Sequence, residues 1–344
     1  MPDVRPYPIC FDPIFKTSVW GGRGLASFLG KFLPVDVPVG ESWEMVDLPE
    51  DQSVVAGGEA RGTALHDLLD LWGKELLGSA GLDGGRFPLL VKYIDAHQNL
   101  SVQVHPDQAA ADRLGGRPKS EAWYIMDVAP GGAIYVGLQD GVTAEDMRRA
   151  IADNTVEDLV LRVEVQPGDL VPVPPGTVHA IGEGVLLAEV QQPSDTTYRV
   201  YDWGRVGLSG NPRELHVDQA LEAIHFGEAP PAIQTLEDGK VATVDMGLFQ
   251  IVVSRLFSGG SMFSEDLQYE GPGPVVVVGL EGHGLVVAEG QKPVACEPGD
   301  AVLVPHACRP MRVASDGEYA KVMMVTFPAG AGSRGGRGRS HRLR

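Results

Sequence analysis

The stretch VQPGDLVPVPPGTVHAI, residues 165–181, decides how this chain is read. Pro-Gly-Asp makes a tight turn, DLVPVP alternates apolar residues as a short strand does, and the next prolines and glycine stop it. A second stretch, CEPGDAVLVPHACRPMRV (296–313), repeats the plan: a Pro-Gly-Asp turn, an alternating strand and a stop at proline. One turn-and-strand unit recurring late in a chain implies two β-sandwiches in tandem.

The surrounding sequence agrees. FPLLVKYIDA (87–96), LSVQVHP, AWYIMDV, GAIYVGL, VLLAEVQQ and TYRVYDW are further β-rich runs cut by glycine or proline. The 44 glycines and 26 prolines favour turns and short strands over helical bundles. Helical spacing appears in TALHDLLDLWGKELLG (63–78), behind a threonine cap, in DQAAADRLG after His105, in TAEDMRRAIADN (143–154) and in ELHVDQALEAIHF (214–226). The expected architecture is mainly β, with two antiparallel sandwiches and a few helices on the first. EAPPAIQTLEDGKVAT (228–243) is the candidate linker. The boundaries drawn are 1–235 for a first domain with helical insertions, 244–328 for a second β domain, and 329–344 for a disordered arginine-rich tail.

The formal net charge is −18, although AGSRGGRGRSHRLR at the end carries five arginines and no acid. So acidic a body repels nucleic acid and anionic membranes, and neither is expected as a partner. Three cysteines in no metal-like spacing read as buried fillers in a reducing compartment. There is no signal pattern at the N-terminus and no apolar run long enough for a membrane span, so the expected location is the cytoplasm. Nothing in the sequence marks an oligomeric state.

SVQVHPD (101–107) sets two polar residues, Gln103 and His105, on one face of a strand, about 6–7 Å apart. Alone, the pair reads as a solvent-facing edge. In PKSEAWYIMD (118–127) a carboxylate, Glu121, opens an apolar strand with Lys119 on the same face; alone, this reads as an edge ion pair. The G-x5-P-x-G-x2-H pattern from Gly168 through Pro174 and Gly176 to His179 is more specific, because its turn residues aim the histidine. Together Gln103, His105, Glu121 and His179 offer an amide oxygen, two imidazoles and a carboxylate. That set suits one Zn²⁺ and could accept Mn²⁺, Fe²⁺ or Co²⁺. The absence of thiolate ligands argues for an open, catalytic site.

FDPIFKTSVWGGRGL, GESWE, LSVQVHPD, KSEAWYIMD, PPGTVHAIGEG and EVQQPSDTTYRVYDWGR occur in this order. Together they resemble the type I mannose-6-phosphate isomerases in their shorter bacterial form, and the glycine–proline–histidine spacing is the second cupin motif. The resemblance covers roughly residues 7–328. It implies tandem cupin-type jelly rolls and a zinc-dependent aldose–ketose isomerase that interconverts mannose 6-phosphate and fructose 6-phosphate through a cis-enediol(ate). It implies Gln103, His105, Glu121 and His179 as zinc ligands, Arg199 as the active-site arginine and Lys119 at the substrate site. Gln103 stands where the common cupin pattern has histidine, and a helix-like insert separates His105 from Glu121; both features belong to the isomerase branch. In the second copy Pro310 falls opposite His179 and no Q-x-H precedes it, so that domain is expected to bind no metal, with His283 and His306 as surface or core residues.

The proton shuttle is left among Lys119, Glu189 and Asp195. The candidates for the 6-phosphate are Lys92, Lys119, Arg199 and Arg205. Two other readings are open: a sugar-phosphate-binding module without turnover, and a cupin metalloenzyme of oxygen chemistry, since two histidines and a carboxylate also suit non-haem iron.

Overall fold

The structure is a computed structural model that describes residues 4–236, 241–257 and 267–328. It divides into two compact units, and neither is a continuous segment. One comprises residues 15–42 and 92–233; the other comprises the described parts of 1–14, 43–91 and 234–344. The contiguous split drawn from sequence therefore differs from the packing. The helical segment within 63–78 belongs with the later β strands rather than with the first sandwich. The arginine-rich tail lies outside the described residues.

The unit holding residues 92–233 is built from two sheets. The first runs through β1 (Ile14–Gly22), β2 (Val39–Met45), β3 (Leu90–Ala96), β10 (Val185–Gln191), β5 (Glu121–Val128) and β8 (Asp169–Val173), in that order. The second runs β11 (Tyr198–Tyr201), β4 (Val102–Val104), β9 (His179–Ile181), β6 (Ala133–Leu138) and β7 (Val160–Glu164). Strands β10–β5, β5–β8, β11–β4, β4–β9 and β6–β9 all pair antiparallel.

Alternation along each strand sorts the side chains. Trp20, Ile94, Trp123, Ile125, Leu187, Ile134, Val136 and Ile181 point between the sheets and form an apolar core. Val102, Val104, Val178, Ala180 and Val200 point outward from the second sheet, where Met147, Ala150, Ala220 and Ala223 from two helices cover them. That covering lets the strand Val102–Val104 carry apolar residues on its outer face and turn Ser101, Gln103 and His105 inward. The interior thus carries both kinds of side chain, and Trp20, Ile94, Trp123 and Ile181 line the same cavity as Gln103, Glu121 and His179.

The helices follow local chemistry with two differences. Thr143 accepts a hydrogen bond from Asp146 N while the Asp146 carboxylate accepts one from Thr143 N, a capping box for Ala144–Asp153. Asp107 caps Gln108–Leu114 through Ala110 N. The segment 63–78 is not one helix: Gly73, at φ 45°, breaks it into Leu65–Trp72 and Lys74–Leu77. Ala64 rather than Thr63 stands at its N-cap, with no side-chain cap. Among the described residues no helix is long and apolar enough to cross a membrane.

In the other unit a sheet runs Ala242–Asp245, Gln250–Phe257, Met311–Thr326, Val275–Ala288 and Val294–Cys296, with Ala301–Val304 paired to Val275–Ala288. The sequence echo is also an echo of geometry. Gly168 and Gly299 turn at φ 102° and 100°. Asp169 accepts from Gln166 N at 2.9 Å, and Asp300 accepts from Glu297 N at 3.0 Å. Cys296 and Cys308 are unpaired and buried in this unit's core, with Cys10 packed against it.

Candidate metal centre and pocket

Every residue that lines the cavity holding Gln103, Glu121 and His179 belongs to the unit of residues 15–42 and 92–233. Three strands bring the metal-type donors together: β4 supplies Gln103 and is followed directly by His105, β5 opens at Glu121, and β9 opens at His179. Gln103 stands opposite His179 in the β4–β9 register. His105, Glu121 and His179 are each 1% exposed. Glu121 places Oε2 3.2 Å from His105 Nε2 and Oε1 3.2 Å from His179 Nε2.

Both imidazoles are held from behind. His105 gives Nδ1–H to the Thr196 carbonyl at 2.9 Å, and His179 gives Nδ1–H to the Thr177 carbonyl at 2.8 Å. Each ring is thereby locked in the tautomer that turns a bare Nε2 lone pair to the centre, as a metal-binding histidine requires. Burial and the neighbouring Lys119 ammonium, against the pull of Glu121, hold His105 down at about 3, so it is a neutral donor. Its Nε2 is buried and makes no hydrogen bond. The Gln103 amide lies 3.3 Å from His179 Nε2, with Ser101 Oγ on its other atom at 3.4 Å. A half-turn of the amide exchanges its oxygen and nitrogen at no steric cost and presents the oxygen as a further donor.

These spacings pass a simple test. Nitrogen and oxygen ligands at about 2.0–2.1 Å in a tetrahedron lie roughly 3.3–3.4 Å from one another. The observed separations of 3.2, 3.2 and 3.3 Å match that edge. Among the described residues, this is the trio of histidine and acidic groups whose donors converge in this way.

A chain of buried charges of alternating sign leads away from the trio. Lys119 Nζ is 2.8 Å from Glu121 Oε2 and 3.8 Å from Glu189 Oε1. Lys92 is 3.4 Å from Glu189 and 3.0 Å from Glu41. Burial alone would lower Lys92, but Glu189 and Glu41 outweigh it and its pKa is raised. Burial, with the Glu121 charge added, pushes the Glu189 carboxyl up to about 7 despite the two lysines. Burial opposes ionisation of Glu121 as well, yet Lys119 and the histidines hold it well below the usual carboxylate range.

The cavity holds about 320 Å³, near the lower end for small-molecule sites. Around the trio it is lined by Lys119, Glu189, Lys92, Glu41 and Arg199, with Asp195 and Thr197 also present. Arg199 gives Nη1–H to the Glu214 carbonyl at 2.8 Å, while its Nε is buried with no hydrogen-bond partner. Of the cations read from sequence, Lys92, Lys119 and Arg199 reach the cavity; Arg205 does not line it and is turned to Asp202 and the Asn99 carbonyl. Glu41 and Arg213 line the cavity and were not anticipated. Neither sits within a recognisable spacing: Glu41 comes in on a strand far earlier in the chain, and Arg213 on the loop after β11.

Residues 10–127 match the model of the phosphomannose isomerase type I catalytic domain. The chain is 37% identical over 304 residues to mannose-6-phosphate isomerase ManA of Bacillus subtilis, a match that covers 87% of this chain and 93% of that protein. It belongs to the type I phosphomannose isomerase family. A mannose-6-phosphate isomerase of Streptococcus mutans is 33% identical over 307 residues, covering 87% of this chain and 94% of its own. The crystal structure of the mannose 6-phosphate isomerase from Bacillus subtilis superposes with a TM-score of 0.77 at 29% identity, over 93% of this chain and 99% of that one. The matched catalytic-domain segment of this phosphomannose isomerase relative contains Gln103, His105, Lys119 and Glu121, and stops before His179 and Arg199.

Proposed function

We propose that this chain interconverts mannose 6-phosphate and fructose 6-phosphate, with one zinc ion held by Gln103, His105, Glu121 and His179. The observation that carries this reading is the arrangement of two buried imidazoles, each 3.2 Å from one buried carboxylate, beside a cavity lined by a lysine, a second carboxylate and an arginine. Zinc held by these four residues would supply Lewis acidity to the reacting carbonyl.

The chain's own residues account for the rest. A base takes the proton from C2 of the aldose, leaving a cis-enediol(ate), and returns a proton to C1 while the hydroxyl proton passes from O2 to O1, which gives the ketose with no external oxidant or reductant. Glu189 suits the task best, because a carboxyl at about 7 is half ionised near neutrality and can both take and return a proton. Lys119, between Glu121 and Glu189, would hold a hydroxyl of the substrate and steady both carboxylates. Arg199 would place fixed positive charge where the enediolate forms. Asp195 is exposed at the cavity edge, which makes it the weaker shuttle. A buried carboxyl poised to take and return a proton has no use in a module that only binds sugar phosphate. A cytoplasmic location belongs to the same proposal.

The test is conversion of mannose 6-phosphate by the purified protein, before and after chelation. Turnover that disappears with the chelator supports the proposal. Absence of turnover in the zinc-loaded protein would remove it.

A further inference from the structure

In an acidic chain, one corner of the cavity carries more positive charge than negative. Asp202, 6% exposed, sits between two arginines. Arg213 donates from Nε to Oδ2 at 2.7 Å and from Nη2 to Oδ1 at 2.5 Å. Arg205 donates to Oδ1 from Nε at 3.0 Å and from Nη2 at 2.8 Å, and gives Nη1–H to the Asn99 carbonyl at 2.5 Å. The two differ in what remains free. Arg205 is spent on protein partners and does not line the cavity; Arg213 lines it. Asp202 takes two of the five N–H groups on Arg213, which leaves three in a planar fork. Arg199, also on the cavity wall, adds a buried Nε with no partner. Arg205 and Arg213 thus share one aspartate beside Arg199, whose charge Asp202 and Glu214 offset, and an incoming anion improves the balance among the three guanidinium groups.

The position along the strands matches a ligand of defined length. β11 runs antiparallel to β4, with Arg199 opposite Gln103 and Tyr201 opposite Val102. The bonds from Trp203 to the Leu100 carbonyl and from Arg205 to the Asn99 carbonyl continue away from His105. Asp202 and the arginine it holds therefore lie toward Leu100, two to three residues or roughly 7–10 Å from Gln103. That is the span from the reacting carbons of a hexose at the donor trio to the phosphate on its far carbon. Lys92 is a poorer partner, since Glu41 and Glu189 already neutralise it.

We propose that Arg213, oriented by Asp202, receives the 6-phosphate and sets the preference for phosphorylated over free hexose. The proposal rests on the isomerase reading and extends it to a residue outside the motifs. An arginine held by a carboxylate keeps its fork fixed for bidentate phosphate binding, as a lysine could not. Asp202 is a positioning residue in this arrangement.

The test compares wild type with Arg213→Met, Arg213→Lys and Asp202→Asn as zinc-loaded full chains, each checked by its melting curve. For mannose 6-phosphate, Arg213→Met is expected to raise KM by about ten- to a hundredfold, the loss of a charge-assisted pair, with much less effect on kcat. Arg213→Lys recovers part of that loss, and Asp202→Asn raises KM by a smaller factor. A KM for Arg213→Met within about twofold of wild type overturns the proposal. So does a loss confined to kcat. If Arg213→Met fails to fold, the KM values of the other two variants decide in the same way. Calorimetric titration with inorganic phosphate separates the two readings. Should wild type fail to isomerise the sugar, phosphate binding in wild type that is lost in Arg213→Met leaves the anion site standing without the isomerase. Equal binding by both, or none by wild type, removes the anion site.

Discussion

His105 and His179 show why the polar face of a half-buried strand is a signal. Each gives its Nδ1 proton to a carbonyl and turns its Nε2 lone pair to the centre, and that of His105 is buried with no hydrogen bond. An unpaired buried acceptor is costly unless something occupies the space in front of it. Replacing either histidine by alanine should lower zinc affinity by about a hundredfold or more, read as metal retained after dialysis against a weak chelator. Retention equal to wild type would place the zinc elsewhere. Glu189→Gln should leave zinc content intact and reduce kcat by roughly 10²–10⁴, the usual contribution of general base catalysis. If Glu189 is the base it must be ionised to act, so kcat/KM should climb with pH as it deprotonates and level off above. The acid limb should lie at or below the value of about 7, because a bound cation favours the carboxylate. The limb should vanish in Glu189→Gln, and its persistence there would assign it to another group. The four proposed ligands could be read from sequence because strand alternation and a glycine–proline turn are local rules. Glu41, Arg213 and the Asp202 clamp could not, because each reaches the cavity only through pairing of segments distant in the chain.

At the scale of elements, the Pro-Gly-Asp turn does the positioning. Gly168, at φ 102°, turns the chain into the β8 strand, and the following PPG turn delivers His179 to its place opposite Gln103. Gly168→Ala forces an L side chain into a region it rarely adopts, at a cost of roughly 1–3 kcal/mol. It should lower the melting temperature and, by shifting the β8 strand, weaken turnover as well. Gly299→Ala, at φ 100° in the other copy, should lower stability to a similar degree. A melting temperature unchanged in both variants would mean that the turns tolerate side chains. Helix 144–153 was legible because its cap and its spacing agree. The segment 63–78 was misread as continuous because Leu65, Leu68, Leu69 and Trp72 keep helical spacing up to the residue before Gly73, and apolar spacing does not report a broken backbone.

For the molecule as a whole, the interleaved units are what sequence reading missed. Ile9 bridges Leu303, and the N-terminal segment thereby joins the later β strands, a pairing between the two ends of the chain that no local pattern announces. Residues 43–91 join the same unit, held in part by Asp47, which is fully buried. Its carboxylate accepts from Phe87 N at 2.8 Å and from Gln52 at 2.9 Å, and pairs with Arg86 at 2.8 Å. Burial would raise its pKa, but the bonds from Phe87 N and Gln52, with His66 at 3.2 Å, outweigh burial and the value is lowered. A carboxyl depressed by folding contributes stability that is fully present above its unfolded value of about 3.9 and is lost as pH falls through the folded value. Asp47→Asn should therefore be less stable than wild type in urea at pH 7, with the gap closing below about pH 4. A gap that stays constant with pH would assign its effect to hydrogen bonding alone.

The measurement that tests the account most directly is isomerisation of mannose 6-phosphate by metal-stripped protein refilled with graded zinc. Fructose 6-phosphate formation should rise in proportion to zinc bound and saturate at about one ion per chain, the capacity of a single four-ligand site. Turnover indifferent to zinc content, or absent when that one site is full, would contradict it.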